Sequence, residues 1–237
     1  MVLQFLNGKF IIMILITGAS KGIGKFLFNE FKLEGENVVG TFNSTEPRSI
    51  KDLYKLDVTN YNEVSDLINI IKPNITKLTL INCAGINYSA LAHKADIQMW
   101  SKVIEVNLIG TFNLINAVLP IMRAENFGRI INLSSVVAQT FVPGTSAYAA
   151  SKSGLWGLTK SVASENAQKG ITINNLNLGY FEIGMIQEVP KEYLDQIKSK
   201  IPSGELGHPY NIKETIKLLM KSDYINGTSI DINGGLF

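Results

Sequence analysis

The chain has 237 residues, of which 46% are hydrophobic and 18% charged, and its formal net charge at pH 7 is +2. This composition excludes a disordered or fibrous chain, and so small a charge predicts neither a nucleic-acid partner nor an anionic membrane surface. The single cysteine, Cys83, excludes an internal disulfide and is compatible with a reducing compartment.

The N-terminal part of the chain contains a short apolar run, Phe10–Ile16, followed by small residues. A signal peptide has a similar outline, but no basic residue precedes Lys9, and the run is too short to span a bilayer. We therefore expect a buried first strand, a cytoplasmic protein and no membrane partner. Because Met13 opens the segment MILITGASKGIG, we expect residues 1–12 to be an N-terminal extension or a misassigned start.

Strand-like apolar runs alternate along the chain with amphipathic, helix-like stretches. Seven strands are predicted, at Ile11–Thr17, Asn37–Thr41, Leu53–Leu56, Leu78–Asn82, Gly128–Leu133, Thr172–Leu178 and Thr228–Ile232. Helices are predicted near 22–34, 61–72, 97–125, 147–169 and 211–221. This alternation predicts an α/β fold with a doubly wound, parallel, seven-stranded sheet of the Rossmann type and helices on both faces.

The same pattern predicts one domain, with an excursion near its end. No linker or internal repeat interrupts the alternation, so residues 1–237 are expected to form a single dinucleotide-binding catalytic domain. Residues 184–209 are rich in proline and glycine, and we expect them to form a mobile lid over the substrate. Its apolar residues, such as Ile186 and Tyr193, would face either an apolar substrate or the body of the protein.

A glycine-rich turn follows the first predicted strand. The segment ITGASKGIG places Gly18, Gly22 and Gly24 where backbone N–H groups at a helix start must approach a pyrophosphate. Three glycines are weak evidence alone, because an ordinary strand–helix turn also uses them. Their position after an apolar N-terminal strand favours a dinucleotide site.

The end of the second strand bears on which dinucleotide binds. Enzymes that prefer NAD usually place an acid here to hold the ribose 2′-hydroxyl. In this chain Thr41 and Phe42 occupy the region, and no acid comes before Glu46. Lys21 in the glycine turn would be a solvated surface lysine or a partner for a phosphate. The two features together favour NADP(H) over NAD(H).

A tyrosine and a lysine lie four residues apart in the segment AYAASK. This spacing puts Tyr148 and Lys152 on one face of a helix, where the ammonium would lower the pKa of the phenol toward its working range. Ser135, at the end of RIINLSS, would orient a substrate oxygen, and Asn107 would position Lys152 through its carbonyl or a water. An isolated pair with this spacing is more often a surface pair, but the combination with the serine and the glycine turn predicts an oxidoreductase of carbonyls or alcohols.

These segments together resemble the short-chain dehydrogenases/reductases, from Met13 to Phe237. The matching segments are TGASKGIG, LDV, NCAG, NLSS, YAASK, LNLG and INGTSIDINGG. The resemblance implies a catalytic tetrad without a metal, made of Asn107, Ser135, Tyr148 and Lys152. It also implies cofactor contacts from the glycine turn, the strand ends and the lid, at Gly18, Ser20, Lys21, Gly22, Ile23, Gly24, Thr41, Asp57, Val58, Asn82, Ala84, Gly85, Tyr148, Lys152, Gly179 and Ile183.

Within that family the chain is most similar to the 3-oxoacyl-[acyl-carrier-protein] reductases. This implies an acyl-thioester or small-molecule ketone as substrate and an acyl carrier protein as a partner. That subgroup grips its carrier with basic residues near the ends of two long helices. Lys169 keeps one of these positions, while Asn126 occupies the other with Arg123 one turn away. A sugar, steroid or small-alcohol substrate, and a non-catalytic dinucleotide-sensing regulator, remain alternatives.

The resemblance also implies a homotetramer or homodimer that pairs the helices near 97–125 and 147–169. Phe112, Leu119 and Trp156 would lie in that interface or in the core.

Three residues depart from the family pattern. Cys83 stands where a second asparagine is frequent, and Leu178 replaces a frequent proline. Ile183 replaces a threonine that commonly bonds the carboxamide, so side-chain support for the nicotinamide is in doubt. We interpret Cys83 as a buried small apolar residue and not as a reactive thiol.

Overall fold

The computed structural model describes residues 12–44, 51–140 and 142–237, and its strands form one parallel sheet. The strands are β1 Ile12–Ile16, β2 Asn37–Phe42, β3 Leu53–Lys55, β4 Lys77–Asn82, β5 Gly128–Ser135, β6 Ile171–Leu178 and β7 Ser229–Ile232. Their order is β3-β2-β1-β4-β5-β6-β7, and each neighbouring pair is parallel. The predicted doubly wound sheet is confirmed. The chain reverses its direction of winding between β1 and β4, which opens a crevice at the carboxyl ends of the strands.

Helices cover both faces of this sheet. They are α1 Gly22–Leu33, α2 Tyr61–Ile71, α3 Ile97–Ile104, α4 Gly110–Glu125, α5 Ser146–Asn166, α6 Lys191–Lys200 and α7 Tyr210–Lys221. The side chains of Asn60 and Asp96 accept backbone N–H groups at the starts of α2 and α3, which explains where these two helices begin. Helix α6 was not predicted, because it lies inside the segment 184–209 that was predicted as an irregular lid.

Alternate residues of β1 belong to two separate hydrophobic cores. Met13 and Leu15 pack in a cluster with residues of α2, α4 and α5. Ile14 and Ile16 pack in a second cluster with residues of α1 and α7. Successive side chains of a strand point to opposite faces, so burial on both faces explains why the strand is apolar throughout.

The long helix predicted near 97–125 is divided in the structure. A π-helical turn, Glu105–Ile109, joins α3 to α4, and such turns often mark functional positions. Asn107 lies in this turn and is fully buried. Within the described part of the chain, Ile97–Glu125 is the one helical span long and apolar enough to cross a membrane, a test that core helices of soluble proteins also pass.

Two sequence expectations fall on residues that the structure does not describe. The expected extension at 1–12 lies outside the described residues, apart from Ile12, which opens β1. Glu46, the first acid after the second strand, lies outside them as well.

Candidate active site

The carboxyl ends of the central strands bring the four residues predicted to be catalytic into one region. Ser135 ends β5, Tyr148 and Lys152 lie in the first two turns of α5, and Asn107 comes from the π-helical turn. Gly85, in the loop after β4, lies beside two of them. A Cβ atom added to Gly85 would lie 3.3 Å from the Asn107 Oδ1 and 3.8 Å from the Lys152 Nζ. A side chain at Gly85 would therefore crowd both polar groups.

Ser135 and Tyr148 are joined through their side chains. The Ser135 Oγ accepts the N–H of Val137 at 3.3 Å, which leaves the hydroxyl proton available to donate. Burial raises the pKa of Tyr148 to about 12, and the hydrogen bond with Ser135 opposes that rise. The expected lowering of this pKa by an adjacent ammonium is corrected here. The Lys152 Nζ lies 5.6 Å from the centre of the phenol ring, but the largest influence on the pKa of Tyr148 is its burial, which raises it.

Lys152 is a buried lysine with a backbone partner. Its side chain packs inside the protein, and its Nζ donates to the carbonyl oxygen of Leu133 at 2.7 Å. Burial lowers the pKa of Lys152 to about 8, because the charged form loses its hydration. An ammonium has three donors, so two stay available for a substrate, a cofactor hydroxyl or water.

Asn107 holds the loop after β4 through its side-chain amide. Its Oδ1 accepts the N–H of Ile86 at 2.8 Å, and its Nδ2 donates to the Ile86 carbonyl oxygen at 2.9 Å and to the Ser151 Oγ at 3.1 Å. The carbonyl oxygen of Asn107 accepts the hydroxyl of Thr111 at 2.8 Å. These contacts place Asn107 beside Lys152 and also give it a role in the local scaffold that the sequence did not indicate.

Two hydroxyl residues that were not predicted support the site. The Ser151 Oγ donates to the carbonyl oxygen of Tyr148 at 2.8 Å. The Thr17 Oγ1 accepts the N–H groups of Cys83 and Ala84, both at 3.0 Å, and so fixes the loop after β4 to the end of β1. Thr17 and Ser151 are each the sequence neighbour of a predicted site residue. Their roles depend on hydrogen bonds to residues 67 and 44 positions away in the chain, Ala84 and Asn107, which the sequence does not reveal.

The three glycines of the turn have different roles. Gly18 has a φ of +68°, and a Cβ there would lie 2.8 Å from the Cα of Ala84. A Cβ on Gly24 would overlap the carbonyl oxygen of Gly18, so both glycines are needed for packing. Gly22 has a φ of +53°, and a Cβ there would lie 3.2 Å from the Cα of Gly184. The predicted lid thus begins directly against the glycine turn.

The start of α1 fits an anionic group. Its N-cap residue, Lys21, makes no side-chain capping bond, and no acid stands in the first turn. The first N–H groups of a helix need acceptors from outside the helix, and the helix dipole favours negative charge there. Lys21 is exposed, while Ser20 and Ile23 are half-buried. These residues fit the pyrophosphate of a dinucleotide.

The region predicted to hold the adenine is built around an ordered aspartate. Burial alone would raise the pKa of Asp57, but side-chain and backbone hydrogen bonds from Thr59, at 2.7 and 2.9 Å, and the charge of Lys102 hold that pKa below its ordinary value. The residues Val58, Asn82 and Ala84 line one small pocket together with Thr17, Val106, Gly110 and Thr111. Three predicted cofactor contacts therefore share a surface.

The remaining predicted cofactor contacts are Thr41, Gly179 and Ile183. Thr41 is 1% exposed, and its carbonyl oxygen accepts the N–H of Ala19 at 2.7 Å. Thr41 therefore supports the glycine turn from inside the protein. The N–H of Gly179 donates to the carbonyl oxygen of Ile232 at 2.9 Å, and Ile183 is half-buried at the start of the lid.

Cys83, which we expected to be a buried small apolar residue, is half-buried and packs against the second hydrophobic core. Desolvation of its thiol raises the pKa of Cys83 to about 11. The thiol is therefore protonated at neutral pH, as we expected for a residue that does not act as a nucleophile.

A larger cavity, of about 330 Å³, lies away from the four catalytic candidates. It is lined by residues that follow β6, by residues 203–208 of the predicted lid, by Asn211 and by residues 232–234. In the lid, Ile186 is buried against the body and Tyr193 is 52% exposed, so only part of its apolar set packs onto the protein. No group of three or more potential metal ligands comes together in residues 12–44, 51–140 and 142–237.

The residues predicted to contact a carrier protein or a second subunit differ in exposure and in hydrogen bonding. The guanidinium of Arg123 donates to the Asn166 Oδ1 at 2.7 Å, whereas Lys169 is exposed. Phe112 is 44% exposed, while Trp156 is partly buried and its indole N–H donates to the Asn177 Oδ1 at 3.2 Å. Asn126 ends α4 in the left-handed conformation, and Leu119 packs against the core.

Comparison with known proteins connects this geometry to a family. The short chain dehydrogenase family model matches residues 12–194. An acetoacetyl-CoA reductase of Rhizobium meliloti is 35% identical, covering 94% of this chain and 97% of its own. A 3-oxoacyl-[acyl-carrier-protein] reductase of Haemophilus influenzae is 33% identical, with the same coverage. The solved structure of an aldohexose dehydrogenase from Thermoplasma acidophilum has a TM-score of 0.88 at 27% identity, covering 94% of this chain and 93% of the other.

Proposed function

Because this chain belongs to the short-chain dehydrogenase family and is an oxidoreductase of carbonyl or CH–OH groups, we propose that it reduces the ketone of a 3-oxoacyl thioester with NADPH. One observation carries the chemistry, namely that Ser135, Tyr148 and Lys152 meet at the carboxyl end of β5 beside Asn107. The 35% and 33% sequence identity of this chain to an acetoacetyl-CoA reductase and a 3-oxoacyl-[acyl-carrier-protein] reductase supports the substrate class.

The protein's own groups would act on the substrate oxygen. The hydroxyls of Ser135 and Tyr148 hydrogen-bond that oxygen and stabilise the negative charge that develops on it. Tyr148 then donates its proton to the oxygen, and a pKa of about 12 keeps this proton in place at neutral pH until the charge develops. Lys152, with Asn107 beside it, resupplies the proton from water. The bound dinucleotide supplies the hydride.

The dinucleotide would lie across the carboxyl ends of β1 and β4. The start of α1 would hold its pyrophosphate, and the adenosine would lie against Asp57 and the surface formed by Val58, Asn82 and Ala84. Lys21 would pair with a 2′-phosphate, because its ammonium is exposed at the start of α1. This charge supports NADPH over NADH.

The carrier of the acyl group is the finer part of the proposal. In the carrier-protein reductases, basic residues at two helix ends grip the carrier, and this chain has only Lys169 at the expected positions. Arg123, which could replace the second, is hydrogen-bonded to Asn166. A coenzyme A thioester therefore fits this surface better than a carrier-bound one.

We extend the proposal to the form in which the protein works. One catalytic domain, residues 1–237, would assemble in the cytoplasm as a homotetramer or homodimer through α4 and α5, where Phe112 is exposed. Light scattering on the eluted protein would test this assembly, and a monomeric mass would contradict it.

A substrate panel tests the proposed function directly. The purified chain is given NADPH or NADH with acetoacetyl-CoA, a 3-oxoacyl carrier protein, an aldohexose and a ketosteroid, and loss of reduced dinucleotide is followed. We expect the fastest turnover with NADPH and acetoacetyl-CoA, and loss of turnover in Tyr148→Phe. Binding of dinucleotide without turnover of any substrate would favour the sensing regulator instead.

A further inference from the structure

A row of polar side chains crosses the middle of the sheet. Asn82, Asn132, Asn175 and Ser229 are register partners on β4, β5, β6 and β7. The three asparagines are at most 4% exposed, so the row runs through the core. Buried polar groups in such a place need a complete set of partners.

Hydrogen bonds join the row from end to end in one direction. The Asn82 Nδ2 donates to the Asn132 Oδ1 at 2.9 Å, and the Asn132 Nδ2 donates to the Asn175 Oδ1 at 3.2 Å. The Asn175 Nδ2 donates to the Ser229 Oγ at 3.0 Å. Each amide therefore points its Nδ2 toward β7 and its Oδ1 in the opposite direction along the row, toward β1 and the crevice.

Helix α5 holds this direction, because the Asn175 Nδ2 also donates to the carbonyl oxygen of Leu155 at 3.4 Å, and a carbonyl can only accept. The Thr159 Oγ1 donates to the Asn175 Oδ1 at 2.8 Å and accepts from the Asn132 Nδ2 at 3.1 Å. If the amide of Asn132 were reversed, its oxygen would face the Asn175 Oδ1, and the two acceptors would repel each other. A buried polar group that loses its partner destabilises the fold, so the network strongly favours one orientation.

The row ends at the proposed dinucleotide site. Asn82 lines the small pocket that also contains Val58 and Ala84. Asn132 engages one N–H of the Asn82 Nδ2, whereas the Asn82 Oδ1 has no hydrogen-bond partner among the described residues, so this oxygen is left for a ligand at the pocket. An amide oxygen held in this way accepts a hydrogen bond from a hydroxyl or amino group without first having to be ordered.

We propose that Asn132 is a positioning residue for dinucleotide binding. Held by Asn175 and Thr159, it fixes the amide of Asn82 with the oxygen toward the pocket, where it accepts a donor of the adenosine portion of the dinucleotide. This inference rests on the proposed function, because it requires that the pocket belong to the dinucleotide site.

Dinucleotide affinity, measured by titration calorimetry with NADPH, tests the proposal. We expect Asn132→Leu to weaken binding about tenfold, as a loss of ~1.4 kcal/mol would do. Asn174→Leu is the matched control, because Asn174 is equally buried on the adjacent position of β6 but bonds the loop at Ile225 and Thr228 on the other face. It should lower the Tm comparably and change affinity less than twofold.

A double-mutant cycle separates positioning from general damage. In an Asn82→Ala background, Asn132→Leu should have no further effect on affinity. Should Asn132→Leu fail to fold, Asn132→Asp measured at about pH 6 serves instead, since a protonated carboxyl keeps both the acceptor for Asn82 and a donor for Asn175. It should bind NADPH within about threefold of wild type at that pH, and weaken as the pH rises and the buried carboxyl ionises.

The outcomes distinguish this inference from the proposed function. If wild type binds NADPH and the Asn132 variants bind it as tightly as Asn174→Leu does, the positioning role is overturned and the proposed function stands. The same conclusion holds if the affinity of Asn132→Asp for NADPH does not weaken as the pH rises. If wild type binds neither NADPH nor NADH, both are overturned.

Discussion

The Nζ of Lys152 donates a hydrogen bond to the carbonyl oxygen of Leu133 across 2.7 Å, which ties the first turns of α5 to the middle of the sheet. The lysine is buried, and burial lowers its pKa to about 8. The charge of Lys152 therefore changes near physiological pH, where it should influence both stability and catalysis.

Lys152 should make the stability of the protein depend on alkaline pH. Its folded pKa, about 8, lies below its unfolded value of 10.5, so between these values the unfolded chain binds more protons and stability rises with pH. Below about pH 8 the desolvation cost is fully present. Lys152→Met should therefore have a free energy of unfolding roughly 1–3 kcal/mol higher than that of wild type at pH 7, measured by denaturant unfolding. The stability of this variant should not rise between pH 8 and 10.5. An unchanged rise in this variant would show that another group causes it.

The same titration should appear in kinetics. Because the pKa of Tyr148 is about 12 and that of Lys152 about 8, kcat/KM for NADPH should fall as pH rises through about 8, reporting the lysine and not the phenol. Arginine stays charged at all accessible pH values. Lys152→Arg should have a lower kcat/KM than wild type at pH 7, but its kcat/KM should stay constant up to about pH 10. If kcat/KM of this variant fell at the same pH as in wild type, a group other than Lys152 would cause the fall.

Removing the phenol hydroxyl should abolish proton transfer without unfolding the protein. Tyr148→Phe should lower kcat by about 10²–10⁴-fold, the usual contribution of a positioned proton donor, while the Kd for NADPH changes less than threefold. Ser151→Ala, which removes the hydroxyl that donates to the Tyr148 carbonyl oxygen, is the comparison. It should lower kcat by less than about tenfold. Equal losses in both variants would contradict a direct role for the phenol.

The preference between dinucleotides should depend on Lys21. Lys21→Glu should lower kcat/KM for NADPH by about tenfold or more and leave that for NADH within twofold, because only the former carries a 2′-phosphate that the new carboxylate repels. Lys25→Glu reverses a second exposed charge one turn further along α1, and it should change neither value by more than about twofold. If Lys21→Glu lowered kcat/KM equally for NADPH and NADH, Lys21 would contact the pyrophosphate that both share and not the 2′-phosphate.

A buried ion cluster should stabilise the joint between α1 and α7. The Lys213 Nζ, whose side chain is 6% exposed, lies 3.1 Å from the Glu30 carboxylate and 3.0 Å from that of Glu34. Lys217 meets Glu34 at 2.9 Å but is 31% exposed. Lys213→Ala should cost about 1–2 kcal/mol of unfolding free energy, because Glu30 loses this ion pair and Glu34 keeps only Lys217, and Lys217→Ala should cost less than about 1 kcal/mol. Denaturant unfolding of both variants gives the comparison.

This cluster should also weaken in acid. Hydrogen bonds from Lys217 and Lys213 lower the pKa of Glu34 below 4.5. A lowered carboxyl pKa contributes stability above its unfolded value that is lost as pH falls through the folded one. The difference between wild type and Lys213→Ala should therefore shrink below about pH 4.5, and a constant difference would exclude the ion pairs as its source.

Local patterns were sufficient for the order of the elements and for most of the candidate site. Apolar runs such as Ile12–Ile16 have the same meaning in any α/β protein, since burial on both faces demands them. The four-residue spacing of Tyr148 and Lys152 needs only a helix to put both side chains on one face. These inferences use contacts within one element. For that reason they did not require the rest of the chain.

The sign of the pKa shift at Tyr148 required the tertiary structure. Proximity to an ammonium can be inferred from spacing, but the extent of burial cannot, and burial is the larger effect at both Tyr148 and Lys152. The π-helical turn at Asn107 was likewise hidden, because its apolar pattern continues smoothly from α3 into α4.

By itself the sequence determined which segments form buried strands, where a dinucleotide turn begins, and which phenol and amine share a helix face. Only the folded protein decided that Asn82, Asn132, Asn175 and Ser229 stand side by side, because these residues are 43 to 54 positions apart along the chain. Register between distant strands follows from the packing of the whole sheet. Local periodicity carries no information about it.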